Sequence, residues 1–438
     1  MISSICQKAP TAYSMCHLSK LRYIAPLALL FSVCHSSYAG PIELQQAKRM
    51  HERLTGEQPS LAVLQAMEAE LNLGTAAGGE AAARIAMESD SFYRVTLKNW
   101  VAPWTNRDSE VFVPLNDYIA TVMGYVKDDK DFRGILSDNV MYVVSGVTPA
   151  SVPDNNDHYI AAEATDPSNF SLKDALTETT QTAIPAAATA GVMTSRAAAE
   201  AFFVDGTNRA MLRYTLVNHL CNDMEQLQDA SLPPDRVRQD VSRSPGGDSR
   251  VYSNTCVTCH GGLDPMAQAF AYYDYDNDGI VNEQGDEIAA ATNRIVYNDS
   301  GDVDIDEKTG EPSNQADPNQ PNLQRVQRKY HINGTTFPAG YVTPDDQWSN
   351  YWRTGVNQFL GWGSGSGTGN GAKSLGEELA NSNAFAQCQV KKVFQAVCLR
   401  DPINTDDTAQ LASMASSFTS GGHLKQTFAE AAYYCRER

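Results

Sequence analysis

Cys256-Val257-Thr258-Cys259-His260-Gly261-Gly262-Leu263-Asp264-Pro265 is the stretch on which the reading of this chain turns. Two cysteines three residues apart fall one helical turn from each other, and a histidine follows the second directly. Cys-x-x-Cys-His at this spacing is the peptide that accepts c-type haem. Each thiol forms a thioether with a haem vinyl group, and the histidine faces the iron as proximal ligand. A thioredoxin-like redox pair requires no histidine after it, and half of a zinc site requires a second ligand pair at suitable spacing, which the chain does not offer. Attachment takes place in an oxidising compartment, so the motif carries weight only in an exported protein.

The N-terminus supplies that condition. Residues 1–39 read as a secretory signal peptide: Lys20 and Arg22 precede the apolar run Tyr23 to Val33, and Ser37-Tyr38-Ala39 offers a small-x-small cleavage site. Met15 offers a second start that shortens the leader to about two dozen residues. A lipoprotein anchor at Cys34 is disfavoured by Phe31 and Val33, which stand where an aliphatic and a small residue belong. The apolar run falls short of the ~20 residues that span a bilayer, and no later segment approaches that length. The expectation is a periplasmic or extracellular protein with no membrane span.

The whole chain carries a formal charge of -18, and the leader holds Lys8, Lys20 and Arg22 with no acidic residue, so its removal takes away three positive charges and leaves -21. So acidic a balance disfavours nucleic acid and anionic lipid and suits a basic redox partner protein, although adaptation to a saline habitat gives the same composition. Of nine cysteines, Cys6, Cys16 and Cys34 lie in the leader and two in the motif. Cys221, Cys388, Cys398 and Cys435 remain, enough for two disulfides in any of three connectivities. Pairing Cys398 with Cys435 and Cys221 with Cys388 would tie together segments that read as helical.

The expected fold is mainly α. About 400 residues beyond the leader suggest more than one packed unit: a helical N-terminal unit over 40–195, and a c-type cytochrome unit over 196–438. Apolar spacing predicts helices over 42–54, 60–73, 82–100 and 116–126, with a flexible Gly-Thr-Ala-Ala-Gly-Gly stretch before the third. In the second unit a helix is expected over 208–227, and the motif is expected to open the next one. Residues from about 285 to 345 turn polar and read as a long insertion outside the core. Segments 374–400, 406–418 and 423–434 then read as a C-terminal three-helix segment.

His260 fills the proximal position. For the far face of the iron, His331 in Lys329-Tyr330-His331 lies in range for a distal loop, whereas Met266 is too close in sequence and Met414 has the spacing of a helix core stripe. An open sixth position is the other arrangement. A second constellation, Asp274-Tyr275-Asp276-Asn277-Asp278-Gly279-Ile280, matches the start of an EF-hand-like loop, with Asp274, Asp276 and Asp278 as carboxylates and Ile280 as a carbonyl ligand for calcium. Gly285 stands where the bidentate glutamate belongs, so an acidic turn is the competing reading. No Ser-His-Asp arrangement, phosphate-cradling loop or basic aromatic patch is evident.

The motif, its Leu263-Asp264-Pro265 step and Ala269-Phe270-Ala271-Tyr272-Tyr273-Asp274 together resemble the planctomycete-type cytochrome c domain family. Ser382-Asn383-Ala384-Phe385-Ala386-Gln387-Cys388 with the helices after it, Ala190 to Thr194, and Arg209 to Leu220 are similar to that family as well. The resemblance covers about 190–438, the polar insertion being a departure. It implies an exported protein with haem c on Cys256 and Cys259 and His260 as ligand, and it weakens the calcium reading, because the family's turn needs no metal. Three functions follow as expectations. The first is a monohaem electron carrier; the others are a peroxidase-like haem enzyme with an open sixth position and a structural subunit of a redox assembly.

Overall fold

The computed structural model describes residues 42–437 other than 205, 278–279, 282–286, 300–324 and 332–337. Helix starts are set by side-chain caps. Ser60, Thr75 and Asn116 accept the backbone N–H groups of Val63, Gly78 and Ile119, and a helix follows each of them. With α1 (Ile42–Thr55), these give α2 (Leu61–Leu71) and α3 (Ala76–Ala86), while a π-helical turn, Phe92–Leu97, leads into the short α4 (Lys98–Val101). The stretch expected to be flexible thus contains the cap and first turn of α3. Thr75 makes the difference, since its hydroxyl takes one of the N–H groups that a helix start leaves unpaired.

Helix α5 (Asp117–Lys127) is buried from Asp117 to Val126. It packs against β1 (Met141–Val144), which pairs antiparallel with β2 (Leu176–Thr179) around α6 (Asp157–Glu163) and α7 (Leu172–Ala175). The Asp117 carboxylate also accepts the backbone N–H groups of Arg196 and Ala197, at 2.6 and 3.1 Å, and so ties the start of α5 to that of α8 (Arg196–Phe202). Burial pushes this carboxyl up in pKa, against those hydrogen bonds.

Helix α9 (Arg209–Thr215) continues as a π-helical turn to Leu220 and stops at Cys221 in a left-handed conformation, earlier than the expected end at 227. After α10 (Ser249–Val251) and α11 (Val257–Ala267) come β3 (Tyr273–Asp276), β4 (Ile280–Val281), β5 (Glu287–Ala289) and β6 (Arg294–Tyr297), with β3 paired to β6 and β4 to β5. Strands β7 (Gln347–Ser349) and β8 (Thr368–Asn370) make a last antiparallel pair. The segment expected to lie outside the core therefore contributes to the interior: Ile295, Val326 and Tyr330 are buried. Pairing of β6 with β3 carries Ile295 inward, and the guanidiniums of Arg325 and Arg238 stack on Tyr272 and Tyr330.

The C-terminus forms four helices, α12 (Gly371–Ala380), α13 (Asn383–Cys398), α14 (Thr405–Gly421) and α15 (Leu424–Cys435), where three were expected. Ser382 divides the first expected helix, because its side chain caps Phe385 N–H and starts a new one. Helix α15 packs on both α13 and α3, where Gly79 leaves room for the Tyr433 ring. One hydrophobic core accordingly runs from Ala47 to Ala432, across the boundary expected near 195. The chain is mainly helical. Among the described residues no helix is long and apolar enough to cross a membrane.

Disulfides join Cys221 to Cys388 and Cys398 to Cys435. The first fastens the end of the α9 turn to α13. Beside it the Lys392 ammonium lies 4.1 Å from the Trp104 ring centroid and donates to Asn218 O at 2.5 Å. His219 stands 2.7 Å from the Tyr118 hydroxyl, its pKa pushed well down by burial and by Lys392.

Two predictions follow from these fastenings. Replacing Cys398 and Cys435 by serine opens a 37-residue loop and should cost ~4 kcal/mol in the chain-entropy picture, measured by urea unfolding. Burial lowers the Lys392 pKa to about 7, whereas in the unfolded chain it returns to about 10.4. Between those values the unfolded state binds the extra proton, so raising the pH favours the folded wild type. Relative to Lys392→Met, the wild type should therefore gain stability steadily as pH rises from about 7 to about 10, and a pH-independent difference would show that the amine is not shifted.

Candidate functional site

Asp248 caps Arg250 N–H, and from Ser249 the chain is helical without a break to Ala267: α10, a π-helical turn over Tyr252–Cys256, then α11. The motif lies in the middle of this rod and does not open it. Cys256 closes the π turn and Cys259 follows one α turn later, next to His260. Such π turns commonly mark functional positions in helices.

Behind the motif the rod is closely backed. A Cβ on Gly262 would lie 2.0 Å from the Trp352 indole nitrogen, and one on Gly261 would lie 3.2 Å from Leu232 Cβ. Trp352 is fully buried. Thr258 O accepts the N–H of Asp229, which fixes the Met224 to Ser231 loop alongside Cys259. Pro265 sits inside the helix and withholds the N–H that residue 261 would otherwise receive.

The polar partner of the motif is Asp264, four residues and one turn beyond His260. His260 Nδ1 lies 3.0 Å from Asp264 Oδ1, and the carboxylate is fully buried while the imidazole is 25% exposed. Arg209, from α9, grips both carboxylate oxygens through Nε at 2.6 Å and Nη2 at 2.8 Å, and Arg238 N–H donates to Oδ2 at 3.1 Å. Arg209 also pairs with Asp240. The Arg238 guanidinium is fully buried 3.7 Å from Asp264, with the Tyr330 ring centroid 4.6 Å from it. Burial alone would push the Asp264 carboxyl up, but Arg209, Arg238 and the hydrogen bonds from Arg209 and His260 outweigh it and hold it well below the usual carboxylate range.

This arrangement leaves three groups of the motif partly exposed. Cys256 and Cys259 are free and half-buried, whereas Cys221, Cys388, Cys398 and Cys435 are all in disulfides. Burial pushes the Cys259 thiol up in pKa. Cys256 borders a small apolar cluster of Val237, Val241, Val257 and Tyr252, whose hydroxyl is buried and has no hydrogen-bond partner among the described residues. His260 uses Nδ1 toward Asp264 and keeps its ring partly exposed, with no hydrogen-bond partner for Nε2 among the described residues. Two thiols one turn apart and an imidazole with its second nitrogen engaged form a donor set that fits covalent haem.

The other expected ligands are not gathered in the same way. Tyr330, the neighbour of His331, donates to Ala267 O and stacks on Arg238. His331 Nε2 is buried without a hydrogen-bond partner among the described residues, and burial lowers its pKa. Asp274 is taken up by Lys329 Nζ at 2.5 Å, and Asp276 accepts the N–H and hydroxyl of Thr292 at 2.8 and 2.6 Å. Both lie on the extended strand β3. Ile280 lies on β4, and Asp278 falls outside the described residues, as does the expected leader. Among the described residues no group of three His, Cys, Asp or Glu side chains is placed to hold a metal ion.

Sequence reasoning registered Asp264 as part of a motif but missed its partnership with His260. The signal was present, because residues i and i+4 share one face of a helix. Arg209, Arg238, Asp240 and Trp352 reach the site from far along the chain and left no local signature.

Replacing Gly262 by alanine would set a methyl group against the rigid Trp352 ring. Overpacking of this kind costs ~1 to 3 kcal/mol, against about 1 kcal/mol regained from helix propensity. The net expectation is a lower melting temperature, and an unchanged or raised one would show that Trp352 is free to move. No family model matches this chain, and neither a curated protein nor a solved structure is significantly similar to it.

Proposed function

We propose that this chain is an exported c-type cytochrome carrying one haem, with Cys256 and Cys259 as the thioether partners and His260 Nε2 as the proximal ligand. The observation that carries this reading is the contrast among the cysteines. Four described cysteines pair in disulfides, while the two in the motif remain free beside an imidazole whose Nδ1 is engaged. Haem bound there supplies a one-electron couple. The protein's part is to fix the group at two points on a backed helix, to present Nε2, and to seat Nδ1 on Asp264. The two disulfides agree with an oxidising compartment, and the acidic chain suits a basic redox partner. The resemblance of residues 190–438 to the planctomycete-type cytochrome c domain family belongs to the same reading.

A second reading, a peroxidase-type haem enzyme, draws support from the carboxylate behind His260. An anionic acceptor makes an imidazole a stronger donor to its metal and so favours oxidised iron. The two readings differ in the optical spectrum: an electron carrier gives low-spin spectra with sharp reduced alpha and beta bands, and a peroxidase-type site gives a high-spin ferric form that reacts with peroxide.

The test of attachment is direct. In a host with a c-type attachment system, the wild type should retain haem stain on a denaturing gel, and replacement of both Cys256 and Cys259 by alanine should abolish it. Staining that persists in the double variant would refute the assignment.

A further inference from the structure

We infer that Asp264 is a positioning residue for the proximal histidine, locking the His260 ring with Nδ1 inward and Nε2 outward and strengthening Nε2 as a donor. The inference rests on the haem reading of Cys256 to His260 and specifies what tunes that site. Its ground is geometric. An imidazole that is 25% exposed can turn about its ring bond unless one nitrogen is held, and the only hydrogen-bond partner of His260 among the described residues is Asp264 Oδ1, at 3.0 Å.

That carboxylate has no freedom of its own. Oδ1 receives His260 Nδ1 and Arg209 Nε, and Oδ2 receives Arg209 Nη2 and Arg238 N–H. Arg209 is held in turn by Asp240 through both of its terminal nitrogens. Two carboxylates and two guanidiniums therefore balance in a largely buried cluster, whose most exposed member is His260. Because both Asp264 oxygens accept hydrogen bonds, a proton on Nδ1 is the arrangement that satisfies the contact, which leaves the Nε2 lone pair directed outward. A carboxylate acceptor behind a ligating imidazole raises its basicity and stabilises the oxidised state of the metal that it binds.

Charge and positioning are separable by experiment, since Asp240 contributes charge to the same cluster without touching His260. Wild type, Asp264→Asn and Asp240→Asn would be produced as full chains with covalent haem, and their reduction potentials measured. Asp264→Asn should retain covalent haem and lower the ratio of oxidised to reduced protein at a fixed potential by about tenfold or more, which is about 59 mV for a one-electron couple. Asp240→Asn should move the ratio less. A smaller change in Asp264→Asn, or an equal or larger one in Asp240→Asn, would overturn the inference. Should Asp264→Asn fail to fold, the cyanide adduct of the ferric wild type decides. The Nδ1 proton of His260 should persist in its NMR spectrum after transfer to heavy water, and its loss within minutes is the adverse result. Absence of covalent haem from the wild type would overturn the underlying reading and this inference with it.

Discussion

The site depends on one buried carboxylate. Asp264 is fully buried at the centre of a cluster that draws Arg209 from one helix, Arg238 and Asp240 from the loop that follows it, and His260 from the motif helix. A charge in that position is tolerated only because every oxygen is paired, and removing a single partner from such a cluster typically costs about 3 to 5 kcal/mol. The cluster therefore fixes where the helices lie as well as where the imidazole points. Arg209 opens α9, and at the far end of the same helical segment Cys221 is joined to Cys388 on α13. The motif helix is thus linked through α9 to the C-terminal helices, and these share one core with the N-terminal helices.

Backing by apolar groups complements this polar fastening. Trp352 fills the space left by Gly262, and Leu232 fills the space beside Gly261, so neighbours approach the helix backbone closely just after the two cysteines and the histidine. Small residues at those two positions have a purpose that composition alone hides. They bring a buried aromatic ring and a loop against the backbone, and the reactive side chains are left on the opposite, accessible part of the rod. The π turn ending at Cys256 adds a shift in phase just ahead of the motif.

Much of this was legible in local sequence, because local rules governed it. Apolar spacing located α1, α2 and α5, and both disulfides join segments whose helical character was readable. Where the reading departed from the structure, a single capping side chain was usually responsible: Thr75 starts a helix in a glycine-rich stretch, and Ser382 divides one long helix into two. The polar segment near 285–345 misled for another reason. Its few apolar residues are placed inward by strand pairing and by stacking on Arg238 and Arg325, and such contacts depend on partners distant in sequence. Cys256, Cys259 and His260 stand out in a pentapeptide, whereas Arg209, Arg238, Asp240 and Trp352 come beside it only through the fold.

This division has a physical consequence for how the site is assembled. The spacing of the two thiols is a property of one helical turn and exists wherever that turn forms. Orientation of the imidazole is different in kind: it requires Asp264 to be pinned, which in turn requires residues 209, 238 and 240 to arrive, with Trp352 packed behind. On the proposed haem reading, covalent capture makes only local demands on the chain, while the surroundings of His260 are set by tertiary structure. On that reading, substitutions at distant members of the cluster would change how strongly His260 donates without changing any residue of the pentapeptide.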